Sequence, residues 1–306
     1  MNKYGLCCIS LKLKDRGFSF QTMTYKRFSS LPRAEALQIL GDRILNNLVT
    51  TNKTIQYCAN NNLNYRLSSN LFPLITYDKA NVCLENLPNY NDIENELNSI
   101  TKTISQNQVR VSVHPSEYNS LASVSQDVSE KTIKELNFYS SFMDRIGCPA
   151  NYNSPMNLHI HNKNGTYSEI VDRFIQNFDR LDPNCRSRLV IENDDKINCW
   201  SVRELIDNFH SQTKIPITFD YLHHACNPDF MNEREALEEC YMTWGDYKPL
   251  FHYSESAPGN NPRKHADYAV NPINNYGLDF DLDFELKMKD EAIAQYEEQY
   301  SCTMTV

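Results

Sequence analysis

Glu192 closes the run Arg186-Ser187-Arg188-Leu189-Val190-Ile191, and its position there is where chemistry enters this chain. Leu189, Val190 and Ile191 have the character of a strand buried on both faces. A carboxylate at the end of such a strand loses several kcal/mol of hydration unless it is paired, hydrogen-bonded or bound to a metal. The pattern recurs: apolar or alternating runs end at His114, His161, Asp220, His252 and Glu285 as well. Six imidazoles and carboxylates brought to one place would repel and desolvate one another unless cations neutralised them. His223, three residues after Asp220, and His265 in a later loop raise the candidate ligands to eight. That suffices for two or three ions at three to four protein ligands each. His159, two residues before His161, shares its strand face; either could be the ligand, and the later one is expected. Imidazole and carboxylate without thiolate suit Mn, Zn or Fe, and ligand type does not choose among them. Two or three such ions at one rim serve phosphodiester hydrolysis, one activating water and the others stabilising charge on the phosphate and the leaving oxygen. Glu192, central in the set, is expected to bridge.

The elements that must position these residues alternate along the chain. Strands are expected at 3–11, 65–69, 109–114, 156–161, 189–192, 215–220, 250–253 and 278–285. Helices are expected between them, at 34–60, around 93–104, at 127–146, 167–181, 201–210 and 233–244, with one more after the last strand. Leu37, Leu40, Ile44, Leu48 and Ile55 carry the helical period of the first, and Ser201 with Glu204 three residues on is a capping box. Eight strands alternating with helices, without a break in composition, predict a single (β/α)8 TIM barrel spanning residues 1–306 as one domain. The C-terminal ends of its strands converge on one rim.

Composition narrows the functional classes. The net charge of −9 argues against nucleic-acid binding by bulk electrostatics, but not against a local basic patch. No apolar run approaches a membrane span, and Lys12, Lys14, Asp15 and Arg16 interrupt the N-terminal apolar segment as no signal peptide would. An intracellular protein without a membrane partner is expected. The ten cysteines lack a CxxC pair and zinc-ribbon spacing, which favours reduced thiols.

Several segments together resemble the UV damage endonucleases, barrel enzymes of the same metal-dependent class as endonuclease IV. They are Tyr65-Arg66-Leu67-Ser68-Ser69 with Leu71-Phe72-Pro73, Val113-His114-Pro115-Ser116, Arg188 through Asp194, Asp220-Tyr221-Leu222-His223-His224, His252-Tyr253-Ser254, His265-Ala266-Asp267-Tyr268 and Glu285-Leu286-Lys287-Met288-Lys289. The resemblance implies a manganese-dependent enzyme, with zinc as the alternative metal, that nicks double-stranded DNA 5′ to cyclobutane pyrimidine dimers and 6-4 photoproducts and acts as a monomer. It implies His114, His161, Glu192, Asp220, His223, His252, His265 and Glu285 as metal ligands, with Glu192, Asp220, His252 and Glu285 carrying the catalytic step.

The family inserts a Gln-Tyr pair at the lesion, and Glu117-Tyr118 occupies those positions here. Leu6 and Ser10 stand where the family often offers a tyrosine and an asparagine, Tyr77 where a histidine is common, and Leu250 where the family has a modified lysine. The expected DNA-facing set is therefore Glu117, Tyr118, Leu6, Ser10, Tyr253, Arg263 and Lys264. Competing readings are an endonuclease IV-like enzyme acting at abasic sites, a sugar-isomerase barrel with a similar two-metal rim, and a damage-binding protein that does not cleave.

Overall fold

The computed structural model describes residues 3–161 and 163–300; Cys302 and both extremes of the domain expected over 1–306 lie outside the described residues. Eight strands form one sheet: β1 (Tyr4–Cys7), β2 (Asn64–Leu67), β3 (Val111–Val113), β4 (Met156–His159), β5 (Leu189–Glu192), β6 (Ile217–Thr218), β7 (Leu250–Tyr253) and β8 (Asp281–Phe284). Their order is β6-β5-β4-β3-β2-β1-β8-β7, with every pairing parallel. The two ends of that order meet through a parallel bridge between Asp220 and His252, where the His252 amide donates to Phe219 O at 2.9 Å. The sheet thus closes into the TIM barrel, and its seam is sealed by two of the residues expected to do chemistry.

The principal helices are α1 (Arg33–Asn60), α2 (Tyr90–Asn107), α3 (Gln126–Arg145), α4 (Tyr167–Phe178), α5 (Val202–Leu205, continued by a π-helical turn to His210), α6 (Glu233–Met242) and α7 (Lys289–Tyr300). The capping box expected at Ser201 is present with both arms, and Thr166–Glu169 and Asn232–Glu235 cap α4 and α6 in the same way. Strands β6 and β8 are shorter than their sequence runs; Pro216 O accepts from the Ile191 amide at 3.0 Å, but proline has no N–H to extend the ladder further.

Alternation along the strands sorts side chains between the barrel interior and the helical layer. Leu282 and Phe284 lie deep in the hydrophobic core, with Phe284 against Tyr296 of α7. Asp281 and Asp283 occupy the opposite face of β8, and Glu285 follows at its end. Gly5 of β1 pairs with Asp283, and a Cβ at Gly5 would stand 1.9 Å from Asp283 Oδ1. Glycine is needed there because a carboxylate fills the space a side chain would take. All nine cysteines among the described residues are free. No helix among these residues is long and apolar enough to cross a membrane.

Candidate metal centre

Register decides which side chains meet at the C-terminal rim. β4 and β5 pair with His159 opposite Glu192, so the imidazole and the carboxylate leave adjacent strands at the same level. Three groups of ligand atoms result, each with all its atoms within 4.8 Å of one another: His114, His159 and Glu192; Glu192, Asp220 and His223; Asp220, His252 and Glu285. Glu192 and Asp220 each belong to two groups. Glu192 Oε2 lies 3.3 Å from His114 Nε2 and 3.1 Å from His252 Nδ1, and its Oε1 lies 3.1 Å from His223 Nδ1. His252 Nδ1 is also 3.2 Å from Glu285 Oε1.

Backbone carbonyls fix how the rings present themselves. A carbonyl only accepts, so the ring nitrogen facing it carries the proton and the other is left with its lone pair. His114 Nδ1 donates to Pro115 O at 3.0 Å and turns Nε2 toward Glu192. His223 Nδ1 donates to Asn193 O at 2.9 Å, and His265 Nδ1 donates to Glu285 O at 2.9 Å. Asp220 also caps the short helix Tyr221–Cys226, accepting from the His223 amide at 2.7 Å, which holds His223 beside it.

Burial should make this cluster prohibitive, since Glu192 is 1% exposed and Asp220 fully buried. Burial does push the Glu192 carboxyl up, but the charges of His252 and His159 and the bonds to His114 and His223 outweigh it and hold the group well below the usual carboxylate range. Burial likewise opposes protonation of His159, yet Glu192 and Asp194 raise it to about 9. His223 and His252 are raised in the same sense, against burial, by the acids around them. Asp220 is raised, by burial first and by the neighbouring charges of Glu192 and Glu285. Without metal, protons on histidine balance the acids.

Divalent ions fit the same donors better. Asp220 Oδ2 is buried without a hydrogen-bond partner, and such an atom is costly until something coordinates it. A donor set of carboxylate and imidazole, with no sulfur, is one that manganese or zinc accepts.

Several expectations need correction. The sequence points to His161 as the strand-end ligand, but β4 stops at His159 and His161 has a φ of 69°. That left-handed conformation breaks the two-residue alternation. His161 Nε2 donates instead to Asn119 O at 3.0 Å, and His159 joins the ligand group. Leu6 is fully buried in β1, and Ser10 donates to Asp290 at 2.7 Å while capping a helical turn, so neither presents anything to a polymer. Tyr253 is 5% exposed and packs against Tyr221 and Phe284, because the alternation that turns His252 inward turns Tyr253 toward the helices. His265 lies outside the three groups, its Nδ1 3.9 Å from Glu285 Oε2. Glu117, Tyr118, Arg263 and Lys264 are exposed, Tyr118 at 81%.

Three residues that support the cluster escape a reading of the sequence. Asn157, on the His159 face of β4, donates its amide to Glu192 Oε2. Arg66 of β2 donates to Glu285 Oε1 from inside the barrel. Asp194 sets His159, Oδ1 to Nδ1, at 3.1 Å. The signal for Asn157 is its place two residues before His159.

Comparison with known proteins gives consistent relatives. The family model described as UV-endonuclease UvdE matches residues 2–303. A UV DNA damage endonuclease of Nostoc sp. is 31% identical over 297 residues, covering 95% of this chain and 88% of that protein. One from Bacillus velezensis is 28% identical, covering 92% and 88%. The crystal structure of SacUVDE superposes with a TM-score of 0.83 at 26% identity, over 100% of both chains. Endonuclease IV from Thermus thermophilus has a TM-score of 0.60 at 12% identity over 98% of both chains. An E. coli 3-keto-D-glucoside 4-epimerase reaches 0.59 at 7% over 100% of both. The last two share the fold alone, so the barrel by itself does not choose between nuclease and epimerase chemistry.

Proposed function

Because the chain belongs to the UV-endonuclease UvdE family, we propose that it is a metal-dependent endodeoxyribonuclease that nicks double-stranded DNA on the 5′ side of UV photoproducts. The observation that carries this reading is the sharing of Glu192 and Asp220 between neighbouring ligand groups, the arrangement a multi-ion phosphodiesterase centre requires. His114, His159 and Glu192 would hold one ion, Glu192, Asp220 and His223 a second, and Asp220, His252 and Glu285 a third, with His265 beside Glu285. When bound there, two or three divalent ions, manganese in preference to zinc, supply the charge that lowers the pKa of water and stabilises the phosphate and the leaving oxygen.

The protein's own groups then have separable tasks. Asn157 and Arg66 orient Glu192 and Glu285, and Asp194 orients His159. Such outer partners are typically worth roughly 10–100-fold in affinity or activity. Tyr118 projects from the loop after β3 into solvent and is suited to stand in a weakened base stack, where a damaged dinucleotide costs less to open than an intact one. Glu117 beside it brings a charge rather than an amide to that contact. Arg263 and Lys264 are exposed cations on a loop of the same rim, suited to phosphates. The protein is read as one domain over 1–306, active as a monomer and working where DNA is, inside the cell.

The test is direct. The protein is incubated with manganese and an end-labelled duplex carrying one defined photoproduct, with an abasic duplex as competitor, and any nick is mapped. A nick 5′ to the photoproduct that the abasic duplex competes for poorly supports the reading. Preferential cleavage of the abasic duplex favours endonuclease IV-like action, and damage-dependent binding without a nick in any divalent metal overturns cleavage altogether.

A further inference from the structure

Large apolar side chains that stand in water are concentrated on one end of this barrel. Tyr77, Tyr118, Tyr167, Ile197 and Val270 are all exposed, and they lie on the segments that leave β2, β3, β4, β5 and β7. Those segments surround the metal centre. Val124 after β3 and Phe230 after β6 share that end, and Met242, at the close of α6, does not. Ile197 is 82% exposed at the tip of the loop between β5 and α5, which, unlike the segment carrying Phe230, directly follows a strand that ends in a candidate ligand.

That loop is braced rather than loose. The Asp194 amide donates to Trp200 O at 2.8 Å, and the Trp200 amide donates back to Asp194 Oδ2 at 3.2 Å. The Cys199 amide donates to Lys196 O at 2.8 Å, which makes Lys196-Ile197-Asn198-Cys199 a tight turn with Ile197 as its second residue. From the neighbouring connection, the Asn227 side-chain amide reaches Lys196 O at 3.1 Å and Asp194 O at 3.3 Å. Trp200, at the loop's base, is fully buried against Phe209. Proline is favoured at the second position of such a turn because it presets the backbone, and isoleucine brings no such advantage. A stiff, β-branched apolar side chain on a pinned turn loses little freedom when it is buried against a partner, and that burial is favourable by the apolar area removed from water.

Its position identifies the partner. The loop begins at the end of β5, immediately after Glu192, and Asp194 within it also orients His159. Tyr118 stands on the corresponding loop after β3, and the order β5-β4-β3 leaves only β4 between them. Neighbouring strands are about 4.8 Å apart, so the bases of the two loops are separated by roughly 10 Å, about three nucleotide steps at about 3.4 Å each. A dinucleotide lesion is the unit such a pair of tips would bracket.

We propose that Ile197 is a second wedge, entering the base stack on the flank of the lesion opposite Tyr118, so that this acidic chain recognises a deformable site by two apolar insertions more than by a basic surface. The proposal rests on the photoproduct-nuclease reading above. Exposed Lys196, beside the tip, is suited to the adjoining phosphate.

The test uses Ile197→Ala and Ile197→Leu in the full chain, with duplexes carrying one photoproduct and a 2-aminopurine reporter two or three positions to either side. Wild-type protein should nick the photoproduct duplex and, on binding, raise reporter fluorescence on both flanks. Ile197→Ala should weaken photoproduct binding about tenfold or more, the equivalent of one buried apolar side chain. It should abolish the fluorescence rise on one flank only and keep the wild-type melting temperature. Ile197→Leu should restore both signals. If wild-type protein nicks the duplex while Ile197→Ala leaves affinity and both reporters unchanged, the wedge is overturned and the nuclease reading stands. If wild-type protein neither binds nor nicks the photoproduct duplex, the reading falls and the wedge with it.

Discussion

Asp281 opens β8 and Glu285 follows its last residue, and each meets a buried or half-buried arginine; yet the two ends of the barrel treat their acids differently. At the N-terminal end, Asp281 Oδ1 accepts from the Lys3 amide at 3.0 Å and pairs with Lys248 at 3.2 Å. Its Oδ2 accepts from Asn64 and Arg110, both at 3.0 Å. Burial raises this carboxyl, and the Lys3 amide with Arg110 more than reverse it. At the C-terminal end, Glu285 has Arg66 and then only histidines and further acids, among them Asp220, whose buried Oδ2 no hydrogen bond satisfies. The same residue types are structural where every lone pair has a donor and functional where donors run out. What marks this rim is the deficit together with three ligand groups that share Glu192 and Asp220.

The comparison can be broken at either end. Glu192→Gln should retain the fold, by circular dichroism, and lose cleavage of photoproduct DNA by well over the roughly 10–100-fold that outer partners of metal ligands are worth. Metal content should fall in parallel; cleavage within tenfold of wild type would mean that the rim's acids are not ligands. Asp281→Ala should do the converse. It leaves Arg110 without its carboxylate and should cost about 3–5 kcal/mol of stability by denaturant titration, while the folded fraction cleaves at the wild-type rate.

Manganese should sharpen the contrast. Ions held only by the native rim raise stability by about 2.7 kcal/mol per site at a hundredfold excess over Kd. A calorimetric shift reversed by chelator, with at least two ions bound per chain by metal analysis, is expected for wild type and not for Glu192→Ala. A melting temperature unmoved by manganese would count against the centre.

A smaller effect lies in pH. His159 is raised from 6.5 to about 9 because Glu192 and Asp194 overcome the opposing effect of burial. A group raised on folding contributes stability that is complete below its unfolded value and lost as pH rises through its folded one. Metal-free protein should therefore lose melting temperature between pH 6.5 and about 9. Over the same window manganese affinity should increase, since protons leave the ligand it takes. Equal pH dependence with and without manganese would contradict this linkage.

The smallest change expected is at the edge of the rim. Tyr118→Ala should weaken binding to photoproduct DNA by about 1–3 kcal/mol, the range of one aromatic–base stack, and scarcely alter binding to intact duplex. A lowered melting temperature with an unchanged affinity ratio would instead mean that the ring serves the loop.

Much of this molecule is readable without coordinates because its signals are local. Strands buried on both faces must be apolar runs, helices that cover them must carry the 3.6-residue period, and a capping box such as Ser201–Glu204 needs only four consecutive residues. Acids and histidines at strand ends are legible for the same reason, as is the barrel that gathers them. Tertiary structure decided what locality cannot. Whether His159 or His161 reaches Glu192 depends on the left-handed turn at His161, and that turn is held by Asn119 on another loop. The burial of Leu6 and Tyr253, the closing bridge from Asp220 to His252, and the sharing of Glu192 and Asp220 between groups all depend on register between strands far apart in the chain. A one-residue change of register exchanges the two faces of a strand, so a ligand and a core residue differ there by packing that no single run of sequence records.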